Sequence, residues 1–212
     1  MKATVLFATA ASLACASTAL AQSPAVTSIT GGGQFGSYYG GAVDGDVVGF
    51  RFTSDANQAV TALGVWNADT NATSPGLSSS HLVGIWDNAT QTLLGSVRVE
   101  PTDTAIGNWT YANLAAPVAL VSGQRYTVGA LYNEGGTDDF DSYISGASGI
   151  SLDGISSTNG VFPAGENLGF AFPSSDSTNS GRFGPNMLLA VPEPASLSLL
   201  GLAGLALVRR RR

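Results

Sequence analysis

Between residues 22 and 190 the sequence has no lysine, no cysteine and a single histidine. Each absence removes a class of function. Without cysteine this stretch forms no disulfide, has no thiol nucleophile and offers no thiolate to a metal. With His81 alone, a zinc site would have to be built almost wholly from carboxylates, against the usual His/Cys donor sets. The missing lysines leave Arg51, Arg98, Arg125 and Arg182 against fourteen acidic residues, a net charge near −10. Phosphate backbones require a basic patch, so nucleic acid is excluded as a partner, and anionic membrane surfaces fit equally badly. Glu, Gln and Lys are scarce while Gly, Ser, Thr, Asn and Ala abound, which disfavours long helices and favours short strands joined by turns.

Apolar runs of any length occur only at the ends. Lys2 followed by "ATVLFATAASLACASTAL" and then "ALAQS" has the layout of a secretory signal peptide. Ala19 and Ala21 supply the Ala-x-Ala cleavage pattern, with Gln22 as the expected mature N-terminus. An uncleaved membrane helix is the alternative, but the run is short and poor in large side chains. Cys15 lies within it, and "SLAC" is a poor lipoprotein box because Ser12 stands where a large aliphatic residue is preferred.

The other end reads "VPEPASLSLLGLAGLALVRRRR", residues 191–212. Ala195 to Val208 carries no charge, and as a helix would rise about 21 Å at 1.5 Å per residue. That is short of the roughly 30 Å hydrocarbon core, though thinning and snorkelling arginines could close the gap. A buried core helix is a worse fit, since Gly201 and Gly204 weaken it and no apolar stripe stands out. Arg209, Arg210, Arg211 and Arg212 would stay cytoplasmic by the positive-inside rule, leaving the preceding domain outside. Pro192-Glu193-Pro194, an apolar helix and a terminal basic cluster resemble the PEP-CTERM sorting signal of Gram-negative bacteria. The resemblance implies recognition by an exosortase, cleavage near the Pro-Glu-Pro motif, a membrane-held C-terminal helix before processing, and association with exopolysaccharide and biofilm matrix. It covers only these last residues.

The middle reads as one all-β domain. "DVVGFRFTS" sets Val48, Phe50 and Phe52 on one face, and "QRYTVGALYN" groups Tyr126, Val128, Ala130 and Tyr132. "TLLGSVRVE" alternates Leu93, Gly95, Val97 and Val99 against Leu94, Ser96, Arg98 and Glu100. "AVTALGVWN", "HLVGIWD" and "NLGFAF" add further strand-like runs, separated by Gly, Asn, Asp and Ser. "WDNATQT" and "LVSGQRY" supply hairpin turns. The expected architecture is an antiparallel β-sandwich or jelly roll. The chain divides into a signal peptide (1–21), a Gly-rich lead (22–45), the sandwich (46–190) and the sorting tail (191–212).

The Leu-Gly-Val-Trp strand, the Val-Gly-Ile-Trp-Asp strand and the "LVSGQRYTVGALY" hairpin resemble an uncharacterised bacterial extracellular domain over about residues 46–172. That resemblance implies a secreted β-sandwich and carries no catalytic assignment.

Candidate chemistry is sparse. A Ser-His-Asp triad would draw on His81, the preceding serines and Asp87, but no Gly-x-Ser-x-Gly elbow is present. A strand-entry histidine with a structural hydrogen bond is the simpler reading. Asp138, Asp139 and Asp141 in "GGTDDFDSY", with Asp44 and Asp46, form solvated acidic loops on the plain reading; the alternative is a calcium site. Calcium is the sole cofactor these residues suggest, and neither loop fits the EF-hand pattern. The same acids could form a glycosidase pair if two lay about 5 Å apart. Trp66, Trp86 and Trp109 fill core or edge positions on the plain reading, and an exposed Trp66 or Trp86 would instead stack on sugar. The Gly-rich lead has no following helix to make a phosphate loop, and Phe35, Tyr38 and Tyr39 would dock it. Asn71, Asn88 and Asn108 begin Asn-x-Thr triplets and read as turn residues. The expected function is a non-enzymatic structural or adhesive matrix protein, with a calcium-assisted carbohydrate-binding module as runner-up and a glycan hydrolase behind both.

Overall fold

Period-two alternation of apolar side chains over short runs produces strands that bury one face each, and two such sheets close a core between them. The computed structural model describes residues 22–36, 45–68, 76–134, 141–164 and 168–190. Its strands are β1 (Gln22–Pro24), β2 (Val26–Thr30), β3 (Gly33–Phe35), β4 (Asp46–Ser54), β5 (Gln58–Trp66), β6 (His81–Asp87), β7 (Leu93–Val99) and β8 (Thr104–Ile106). They continue as β9 (Trp109–Leu120), β10 (Arg125–Tyr132), β11 (Tyr143–Ser145), β12 (Gly149–Leu152), β13 (Ile155–Phe162), β14 (Ser175–Asp176), β15 (Arg182–Phe183) and β16 (Pro185–Ala190).

A six-stranded sheet, ordered β14-β13-β4-β10-β6-β7, faces a five-stranded sheet ordered β1-β16-β5-β9-β8. Small ribbons β15-β11-β3 and β12-β2 complete the domain. All ladders are antiparallel, as the sequence pattern predicted. The shared core joins Val48, Phe50, Phe52, Val83, Ile85, Tyr126 and Val128 of the larger sheet to Val60, Leu63, Val65, Met187 and Leu189 of the smaller. The C-terminal apolar run and the signal segment lie outside the described residues. Among the described residues no helix is long and apolar enough to cross a membrane.

Two local readings are corrected. Leu93 does not share a face with Gly95, Val97 and Val99. A bulge in the β6–β7 ladder lets Trp86 pair with Leu93 while Ile85 pairs with Gly95, which turns Leu93 to the outer face. "NLGFAF" does not form a ladder strand. From residue 168 to 174 the chain crosses the outer face of the larger sheet, with one isolated bridge from Asp46 to Gly169. The lead segment is paired from its start: β1 pairs with β16, β2 with β12 and β3 with β11. Phe35 stacks on Tyr143 at 6.1 Å between ring centroids, while Tyr38 and Tyr39 lie outside the described residues.

Candidate functional site

The strongest concentration of polar chemistry inside the sandwich surrounds His81. As the first residue of β6 it points to the inner face, where alternation aligns it with Val83 and Ile85. Its Nδ1 lies 2.9 Å from the Leu131 carbonyl oxygen, and its Nε2 lies 2.9 Å from Asp141 Oδ2. Asp141 is fully buried just before β11. It accepts from the Ser78 backbone N–H (2.6 Å), the Ser78 hydroxyl (2.9 Å) and the Ser79 backbone N–H (2.8 Å). A carbonyl oxygen only accepts, so Nδ1 carries a proton. The Nε2–Oδ2 contact shares one further proton between ring and carboxylate, so both ring nitrogens are engaged. The ring also packs on Tyr132 at 4.8 Å, and the Tyr132 hydroxyl donates to the Ser142 carbonyl oxygen (3.2 Å).

This is a structural cross-link from β6 to the start of β11, and its geometry is not that of a nucleophilic triad. The Ser78 hydroxyl bonds the carboxylate instead of the imidazole, so His81 is not placed to take its proton. Asp87, the acid expected beside His81, sits at the far end of β6. There its Oδ1 accepts from the Ala89 and Thr90 backbone N–H groups and from the Thr90 hydroxyl, fixing the hairpin turn. These bonds, the Thr90 N–H foremost, hold its carboxyl below the usual range. The partner of His81 escaped the sequence reading because it lies 60 residues away and belongs to no periodic pattern.

The same geometry bears on the calcium reading at Asp141. Its oxygens face N–H and O–H donors that a cation would have to displace, whereas calcium requires oxygen ligands. Asp138, Asp139 and Asp44 lie outside the described residues. The Asp46 carboxylate accepts from the Leu168 N–H at 3.4 Å. Among the described residues no three His, Cys, Asp or Glu side chains gather to hold a metal.

Neither tryptophan proposed as a sugar platform presents an open face. Trp66 is 6 % exposed and packs edge-on against Trp109, 5.0 Å between centroids, at a paired position of β5 and β9. Its indole N–H, that of Trp109 and the Tyr111 hydroxyl are buried with no hydrogen-bond partner among the described residues, and burial pushes the Tyr111 phenol well above its ordinary value. Trp86, 3 % exposed, lies on the outer face of the larger sheet beside Val47 and Leu131. Gly84, Gly129 and Gly49 are register partners across β6, β10 and β4, and Gly84 and Gly129 clear the trough that it occupies. Phe170 and Phe172, half-buried, cover it at 5.2 and 6.4 Å. Arg51 lies over the Phe172 ring at 5.9 Å and is ion-paired with Asp176. The exposed aromatic edges on this face thus belong to Phe170 and Phe172, which the sequence reading placed in a strand.

The sorting residues Pro192, Glu193 and Pro194 and Arg209 to Arg212 lie outside the described residues, as do Ala19 and Ala21. Gln22, the expected first mature residue, begins β1 and pairs with Ala190, the last residue of β16.

A PEP-CTERM protein-sorting motif matches residues 190–212, which implies export, handling by an exosortase and a place at the cell envelope or extracellular surface. No curated protein matches the chain. A second family model, described as a domain of unknown function (DUF4082), matches residues 40–183 and so takes in the whole six-stranded sheet, β5, β8 and β9 of the other, the His81–Asp141 link and the Trp86 face. The chain belongs to the DUF4082 family.

Proposed function

We propose that the chain is a structural or adhesive protein of the cell envelope or exopolysaccharide matrix, with no catalytic role. The observation that carries this reading is a sorting motif that follows the last strand of the sandwich without an intervening linker. The lone histidine supports it, because both ring nitrogens are engaged inside the core. In this reading residues 1–21 are removed on export, and the 195–208 run holds the chain in the inner membrane until an exosortase acts. The mature domain then joins the biofilm matrix of a Gram-negative cell. Intact-mass measurement on matrix-associated protein tests it. A mass beginning at Gln22 and lacking the arginine tail is expected; an intact "LVRRRR" end in cells that make the exosortase would count against it.

A second reading, carbohydrate binding, draws on the half-buried Phe170 and Phe172 beside Arg51. Aromatic edges next to a guanidinium suit the C–H faces and hydroxyls of a sugar. A glycan array read with and without chelator separates the two: binding in neither condition removes the module reading, and binding lost with chelator supports calcium assistance.

A further inference from the structure

One half-buried cation of the domain has no acid to answer it. Four arginines stand among fourteen acids between residues 22 and 190, so partners are plentiful, and Arg51 and Arg98 take Asp176 and Glu134. Arg182 takes none among the described residues. It opens β15 opposite Ser145 of β11, while Phe35 of β3 lies opposite Tyr143 and Gly33 opposite Ser145. Alternation therefore puts Arg182, Ser145, Tyr143, Phe35 and Gly33 on one face of this three-stranded ribbon.

These side chains form a row across the strands. Phe35 stacks on Tyr143 at 6.1 Å with 20° between the planes. The Arg182 guanidinium carbon lies 5.7 Å from the Tyr143 ring centroid and 4.6 Å from that of Phe162, the last residue of β13. The two rings hold the cation in place without neutralising it. Its Nε is buried with no hydrogen-bond partner among the described residues, and its Nη1–H reaches the Tyr143 hydroxyl only at 3.4 Å. The Ser145 hydroxyl beside it accepts from Asn179 Nδ2 at 2.7 Å. At the other end of the row the Phe35 ring is 41 % exposed, and among the described residues a Cβ on Gly33 would meet only that ring's edge, at 3.4 Å.

A partly desolvated charge is costly without a counter-ion, and this guanidinium has already lost its rotamer freedom to the rings. We propose that its counter-ion comes from outside, as the carboxylate of a uronic-acid residue in a polysaccharide, with the C–H face of the sugar resting on Phe35. The planar guanidinium fork matches a planar carboxylate, and an exposed ring beside an open glycine matches a saturated sugar face. An acidic peptide would draw main-chain hydrogen bonds from a strand edge, whereas this row lies on the face of the ribbon and offers rings and a cation. The site deepens the adhesive reading and rests on it for where the sugar is met; it uses none of the residues of the Phe170–Phe172 face.

The test titrates the full chain, as the cell exports it, by calorimetry with a short oligogalacturonate, an oligomannuronate, the methyl ester of the first and a polyglutamate peptide. An acidic oligosaccharide should bind, less tightly as salt rises, and the uncharged ester should bind at least about tenfold less tightly. Arg182→Gln should lose a similar factor, and Arg182→Lys should recover only part of it, since an ammonium keeps the charge without the fork. Phe35→Ala removes a ring already exposed, leaves the core packed and should weaken binding severalfold. Arg125→Gln, which deletes the same charge at an exposed position, should leave binding unchanged. No binding of either acidic oligosaccharide would overturn the site, as would equal binding of acid and ester, or unchanged affinity in Arg182→Gln or Phe35→Ala. An equal loss in Arg125→Gln would reduce the effect to net charge and overturn it too. Polyglutamate bound as tightly as the sugars would reassign the site to acidic peptides. A chain retained in the matrix that binds no acidic sugar sinks the site and leaves the adhesive reading standing. Binding through Arg182 by a chain the matrix does not retain supports the site and sinks the adhesive reading.

Discussion

At the scale of single residues, the decisive feature is a buried pair whose stability contribution depends on keeping both partners. Asp141→Ala would leave His81 Nε2, the Ser78 N–H and hydroxyl and the Ser79 N–H without their shared acceptor. Breaking such a pair costs about 3–5 kcal/mol, whereas replacing both members by apolar residues of similar volume is often neutral. Urea unfolding should therefore show a large drop in midpoint for Asp141→Ala and partial recovery for His81→Leu/Asp141→Leu. Asp87 gives a separate, pH-dependent signal. Its carboxyl is held low in the folded state, chiefly by the Thr90 N–H, so its stabilising effect is present above the unfolded carboxylate value of about 3.9 and fades as pH falls through the folded value. The stability gap between wild type and Asp87→Asn should shrink on acidification from about pH 6 to below 4; a gap constant with pH would refute it. The sequence made His81 legible as a strand-entry residue with a structural bond, because it opens an alternating run. It could not reveal Asp141 as the partner, since proximity across 60 residues is fixed by the fold and leaves no local periodicity.

At the scale of elements, alternation was enough to read β4, β6 and β10, whose inner faces fall as the pattern predicts. It failed where one residue too many enters a ladder, as at Leu93–Leu94, because a bulge shifts every later side chain across the sheet without altering composition. It also failed over Phe170 and Phe172, whose apolar character serves to cover Trp86 and not to fill a strand. The glycine row makes that cover possible. A Cβ on Gly84 would lie 2.7 Å from Phe170 Cζ, 2.7 Å from Trp86 Cη2 and 3.0 Å from Leu93 Cδ1, so three side chains would have to shift together. Gly84→Ala should cost about 1–3 kcal/mol by overpacking, and displaced aromatic cover should move Trp emission to longer wavelength. Unchanged emission with unchanged stability would mean that the trough has room the geometry does not show.

At the scale of the whole molecule, the N-terminal strand closes the sheet edge from which the sorting tail departs. Without β1, β16 would have β5 on one side and bare N–H and C=O groups on the other, along a fully buried run, Pro185–Ala190, with no charged side chain. Such an edge is a template for pairing with another copy, and charge repulsion is the only remaining defence. The domain's net charge is near −10, while Pro185–Ala190 itself carries none. A chain whose mature end begins at Thr27 should thus be less stable and self-associate, to a degree that rises with salt as repulsion is screened. Asn186→Ala should act in the same direction more mildly, costing about 2–4 kcal/mol, because it strands the Val26 N–H and carbonyl and the Met187 N–H in the interior. Light scattering across a salt series separates the two contributions. Self-association of the truncated chain that rises with salt supports edge exposure, whereas a truncated chain that stays monomeric at high salt would show that β1 is dispensable for covering β16.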